Sequence, residues 1–166
     1  ITTVARRTHV DIEPLPAPQM MNATFISAGS RIRLHFDRAT NRARMKSAGD
    51  CSFMIAEVAD GRYGIGPYCI WRDDQVLDIV MGHYHPNMVK PGDFLSLLQD
   101  AILVINENSD AAFGSIVLQK SVSAENAVAV LNAPAVIGHC DSVILNAGNS
   151  FHSGGRDLSF TWDIDV

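Results

Sequence analysis

Residues 30–36 read SRIRLHF, and their alternation decides the fold class. Ile32, Leu34 and Phe36 fall on one side, and Arg31, Arg33 and His35 on the other. Successive side chains of a strand point to opposite faces, so this segment is a strand with one dry and one wet side. The theme recurs in QVLDIVMG (75–82), DFLSLLQ (93–99), GSIVLQKSV (114–122), DSVILNA (141–147) and DLSFTWDIDV (157–166). Gly, Pro, Asn and Asp punctuate these runs, and short strands at this spacing predict an all-β sandwich or barrel. Helical periodicity is confined to TNRARMKSA (40–48), which Thr40 would cap, and FLSLLQDAILVI (94–105), which reads equally well as two strands.

Composition narrows the function classes. A chain of 166 residues that is 47% hydrophobic buries a real core. A net charge of −5 with interspersed signs offers no basic stripe for phosphates, so nucleic acid is not an expected partner. No apolar run is long enough to span a bilayer, so membrane insertion by this segment is not expected. The chain begins with Ile1 and carries no secretory signal pattern, which reads as a piece of something longer.

Three cysteines are present, Cys51, Cys69 and Cys140. A bond between the first two would restrict the unfolded chain by roughly 3 kcal/mol on the loop-entropy account. The odd count suits a reduced protein, or an oxidised extracellular one in which Cys140 is bonded beyond this segment. The cysteine spacing matches no zinc site.

The pattern changes near residue 122, where SVSAENAVAV (121–130) opens a fresh set of strands and NAPAVIGHC (132–140) looks like a junction. The expected organisation is an N-terminal strand or linker over 1–29, a sandwich over 30–121, and a partial second sandwich over 122–166. Three strands cannot close a sandwich, so that last piece should expose edges and core face.

Two blocks carry a family resemblance. The first runs through RLHFDRATNRARM (33–45), Asp50-Cys51, GPYCIW (66–71), VLDIVMG (76–82) and VKPGDFLSL (89–97). The second is IGHCDSVILNAGNSFHSGGRDLSFTWDI (137–164). Together they resemble the extracellular repeats of large algal and protist surface proteins related to the receptor-for-egg-jelly (REJ) region of polycystins, mastigoneme proteins included. The resemblance implies an immunoglobulin-like β-sandwich followed by a partial Ig/PKD-like one, with Cys51 bonded to Cys69 and Cys140 bonded to another part of the parent. It implies a buried Trp162 in GGRDLSFTWDI (154–164) and an extracellular or cell-surface location, flagella and cilia included. GHYHPNMVK (82–90) and NAGNSFHSGGR (146–156) depart from the small-residue loops of that pattern.

Candidate chemistry is sparse. His83 and His85 share the spacing of a cupin-type metal pair, but no Glu follows within reach and His139 would have to serve as the third ligand by accident of spacing, so the stretch reads as a loop. No cofactor is expected beyond calcium, for which Asp37, Asp73, Asp74 and Asp141 lie near turns. Ser150 and Ser153 lack a nucleophile elbow, and GNSFHSGGR (148–156) lacks the ending of a phosphate loop. Trp71 and Trp162 are expected as core anchors, Trp71 against the Cys51–Cys69 pair. Asn22 heads an Asn-Ala-Thr glycosylation sequon. Tyr84 and Phe151 would be the aromatic contacts of a carbohydrate-binding sandwich, glycans being a further partner class. The expected function is a non-enzymatic module that joins neighbouring domains of a large surface or fibre-forming protein, or self-associates.

Overall fold

The computed structural model describes residues 13–83, 86–121, 127–138, 142–151 and 158–163. Seven strands appear among them: β1 (Met20–Ile26), β2 (Arg31–Phe36), β3 (Ala48–Asp50), β4 (Tyr68–Trp71), β5 (Val76–Val80), β6 (Phe94–Ser96) and β7 (Ser115–Gln119). They form one mixed sheet in the order β3-β4-β5-β2-β1-β7-β6. All pairings are antiparallel except β1 with β7, where Ala23 and Thr24 lie beside Leu118 and Gln119 in parallel. The described chain is therefore all-β.

The alternation seen in sequence places the core. Ile32, Leu34 and Phe36 of β2 are buried, as are Leu77 and Ile79 of β5 and Ala23 and Phe25 of β1. In register these residues lie side by side: Ile32 opposite Ile79, and Leu34 opposite both Leu77 and Ala23. A sheet with one apolar face has to cover it, and this one curls over its own core. Ile55, just past edge strand β3, bridges Leu97, just past edge strand β6, which brings the two ends of the sheet together. The residues of these connections, Met54, Ile55, Tyr63, Val89 and Ile102, pack into the enclosed space with no side chain left in water.

Three readings are resolved. Of the strand or linker expected within 1–29, residues 20–26 are strand and belong to the main sheet, with β1 lying between β2 and β7. The ladder slips between Met20 and Asn22, leaving Met21 as a bulge, and this extra residue breaks the alternation that would have marked the strand. Residues 40–48 form no α-helix. Arg42, Ala43 and Arg44 instead make a single left-handed turn, with φ of 52°, 49° and 60°. The turn is held by Asn41, whose side chain accepts from the Ala43 amide, and by ion pairs of Arg42 with Asp74 and of Arg44 with Glu107. Thr40, expected as the cap, is buried; its hydroxyl donates to the Asp74 carbonyl and accepts from the Arg42 amide, so it caps this turn in place of a helix. Residues 94–105 give β6 and then an irregular segment that buries Ile102 and Val104, so the reading as extended pieces prevails over the helical one.

Candidate interaction surface

Cys51 and Cys69 are joined in a disulfide, 18 residues apart in the chain and with Cα atoms 5.3 Å apart. Cys69 lies on β4 opposite Gly49 of β3, so the bond ties the β3 edge to the next strand from inside the core. Two residues further along β4, Trp71 stacks on Phe36 with ring centroids 5.8 Å apart and is 4% exposed. Trp71 is thus a core residue, as its strand position suggested.

Trp162 is not. It is 49% exposed, and together with Phe160 it lines a hollow of about 160 Å³ against Val130 and Leu131. The expectation of a second buried anchor is not met: none of the described residues of 127–163 is buried, so among them there is no core for an indole to enter. What the segment has is a ribbon. Val128 pairs with Phe151 and Asn132 with Asn146, each through two backbone hydrogen bonds of 2.8–3.1 Å. The first side advances four residues between the bridges and the second five, so a bulge at 147–150 kinks the pair. Around it ten large apolar side chains stand in solvent, among them Val136 (88% exposed) and Ile144 (80%).

The wet face of the main sheet carries a group that alternation alone did not reveal. Asp78 of β5 is directly opposite Arg33 of β2, whose Nε and Nη2 donate to its two carboxylate oxygens at 2.7 and 2.9 Å. Arg72 donates its Nε to the same carboxylate at 2.7 Å, and Asp78 is left fully covered while both guanidinia still reach water. Burial alone would raise the Asp78 carboxyl, but the bonds from Arg33 and Arg72 outweigh it and hold the group below the ordinary carboxylate value. The signal in sequence is an acid at the outward phase of β5 facing an Arg at the outward phase of β2, legible only once the register is known.

The other candidate residues are dispersed. His83 is exposed, and its backbone exchanges two hydrogen bonds with Ile65. Gly82 allows that crossing, since a Cβ there would run into the Ile65 backbone. His85, His139, Cys140, Asp141, Ser153 and Tyr84 lie outside the described residues. Asp37 accepts from the Gln19 amide and pairs with Arg38, Asp73 accepts from the Gln75 amide, and Asp74 pairs with Arg42. These candidate calcium carboxylates are thus already engaged. Among the described residues no three His, Cys, Asp or Glu side chains gather as a metal site would require. Among them, too, no helix is long and apolar enough to cross a membrane. Phe151 stands exposed on the ribbon, and Asn22 is half-buried on the wet face of β1. A larger hollow, about 530 Å³ between residues 16–20 and 110–116, is an open groove edged by Phe113 and Asp110.

No protein-family model, curated protein or solved structure matches the chain.

Proposed function

We propose that the chain is a non-enzymatic extracellular module of a large surface or fibre-forming protein. In this reading the curled sheet is an immunoglobulin-related sandwich serving as a rigid spacer, and the region after it is a contact element for a neighbouring β domain. The REJ/polycystin-like order of motifs supports the assignment, and so does a disulfide set inside a small β core, which is commonest in oxidising compartments. The observation that carries it is the apolar surface of the described residues within 127–163, where large side chains stand in water around two backbone bridges, Val128 with Phe151 and Asn132 with Asn146. Exposed apolar patches of this kind mark surfaces that another protein covers. The partner is a neighbouring domain of the same protein, docked by strand addition along the ribbon's open edge and by apolar insertion beside Trp162.

In isolation the ribbon has only a second copy to cover it. Light scattering across a concentration series is expected to show association that V136S and I144S weaken without shifting the melting of the sheet. A strictly monomeric chain with a fully dispersed NMR spectrum and no binding of hydrophobic dye would defeat the proposal.

A further inference from the structure

We infer that Asn22 carries an N-linked glycan, whose first sugars cover the apolar pair formed by Val117 of β7 and Phe94 of edge strand β6. This rests on the extracellular reading, since the modification belongs to the secretory route. Three observations converge on it.

Asn22 and Thr24 of the sequon are two apart on β1, so both lie on the wet face of the sheet. The Thr24 hydroxyl donates to Asn22 Oδ1 at 2.8 Å, which fixes the amide and leaves Nδ2 without a partner among the described residues. The register then sets out a row across the wet face. His35 lies opposite Asn22. Val117 is one position before the paired Leu118, just as Asn22 is one before Ala23, and Phe94 lies opposite Val117. Phe94 is 55% and Val117 44% exposed. With strands about 4.8 Å apart, Phe94 is roughly 10 Å from Asn22, two strands over and within reach of a short saccharide. An uncovered aromatic on an edge strand invites edge-to-edge pairing, and a polar saccharide beside it blocks that approach. The apolar faces of the sugar rings lie against Val117 and Phe94.

The transfer takes place on the unfolded chain, before β1 pairs. Nδ2 attacks the anomeric carbon of the first N-acetylglucosamine of a polyprenyl-pyrophosphate-linked oligosaccharide. The carbon–oxygen bond to the pyrophosphate breaks, its electron pair leaves with the lipid pyrophosphate, a carbon–nitrogen bond forms, and the nitrogen gives up one proton. The folded sheet accepts the product because it lies on the solvent side.

The test is to secrete the full chain from eukaryotic cells and record intact mass and thiol labelling before and after peptide-N-glycosidase treatment, with N22Q and T24V alongside. Expected are a glycan at Asn22 that is absent from both variants, and a closed Cys51–Cys69 bond in all three. Hydroxyl-radical footprinting then reads the cover: removing the glycan from the folded chain should raise oxidation of Phe94 several-fold while leaving Tyr68 unchanged, three strands from β1. A closed disulfide with unmodified Asn22 overturns the glycan alone. Free thiols at 51 and 69 in the secreted chain overturn the extracellular reading and the glycan together. A glycan whose removal leaves Phe94 oxidation unchanged overturns the cover.

Discussion

The main sheet and the ribbon bridged at Val128–Phe151 and Asn132–Asn146 use the same kinds of residue to opposite ends. In the sheet, β-branched and aromatic side chains alternate in register until one face is sealed, and Leu34, Leu77 and Ile79 lose all contact with water. In the ribbon, Val, Ile, Phe and Trp are just as frequent, yet none of the described residues is buried. The difference is one of partners. Seven strands supply a neighbour and a cover for each apolar row, whereas two bridged segments supply one neighbour and no cover. Alternation encodes which face is apolar; burial needs enough other strands to close over it.

The two tryptophans give the sharpest way to break that contrast. W71A should lower unfolding free energy by about 3–5 kcal/mol, as for other buried aromatics. W162A should leave the main transition within about 0.5 kcal/mol, as for an exposed site. Denaturant titration followed by circular dichroism decides it, and equal effects would mean that the ribbon has a core of its own.

Next in size is the disulfide. Replacing Cys51 and Cys69 together by alanine should cost about 3 kcal/mol on the loop-entropy account, read in the same titration, with the ribbon's amide exchange unaltered.

The covered carboxylate comes third. D78A strands two guanidinia, and because both reach water the loss should be about 2–3 kcal/mol, less than for a wholly buried pair. Its pH signature is distinct. The folded carboxyl titrates below its unfolded value, so its stabilisation is complete above about pH 4 and disappears as pH falls through the folded value. Asp37, held low by Arg38, Asp50, held low by the Ser52 amide, and Glu107, held low by Arg44, act in the same direction. D78N should therefore flatten the acid limb of the stability curve without abolishing it, as melting from pH 7 down to pH 2 will show.

The smallest effect is expected at Tyr63. Its ring is fully buried, its hydroxyl has no hydrogen-bond partner among the described residues, and burial pushes the phenol far above its ordinary value. Removing an unsatisfied buried donor relieves its desolvation, so Y63F should leave stability unchanged or raise it by up to about 1 kcal/mol. A clear loss would place a polar partner beside the hydroxyl.

What the sequence makes legible follows the same physics. β2 and β5 can be read because a period of two matches a strand with one wet side and clashes with the 3.6-residue period of a helix. Trp71 can be read because its strand also holds Cys69. β1 is hidden by one bulged residue, Met21, which shifts the phase midway along the strand. The turn at 42–44 is hidden because its positive φ angles fall on Arg, Ala and Arg, with no glycine to announce them; their support comes from Asp74 and Glu107, far away in the chain. The Arg33–Asp78–Arg72 cluster depends on a cross-strand register that a single sequence does not print. Trp162 defeats the sequence reading because aromatic content on a strand says what a residue prefers and nothing about whether a lid exists.

The parallel pairing of β1 with β7 has a bearing on biosynthesis. The first strand of the sheet waits for the last, so a chain emerging from the ribosome holds Ala23 and Phe25 beside an empty slot until Leu118 has cleared the exit tunnel. The β3–β4 pair, with its cysteines, can meet much earlier. Assembly of the sheet is thus set to finish at the β1–β7 seam, two strands in from the β6 rim, and premature release or a stalled nascent chain would leave that flank of β1 open to the cell's folding helpers.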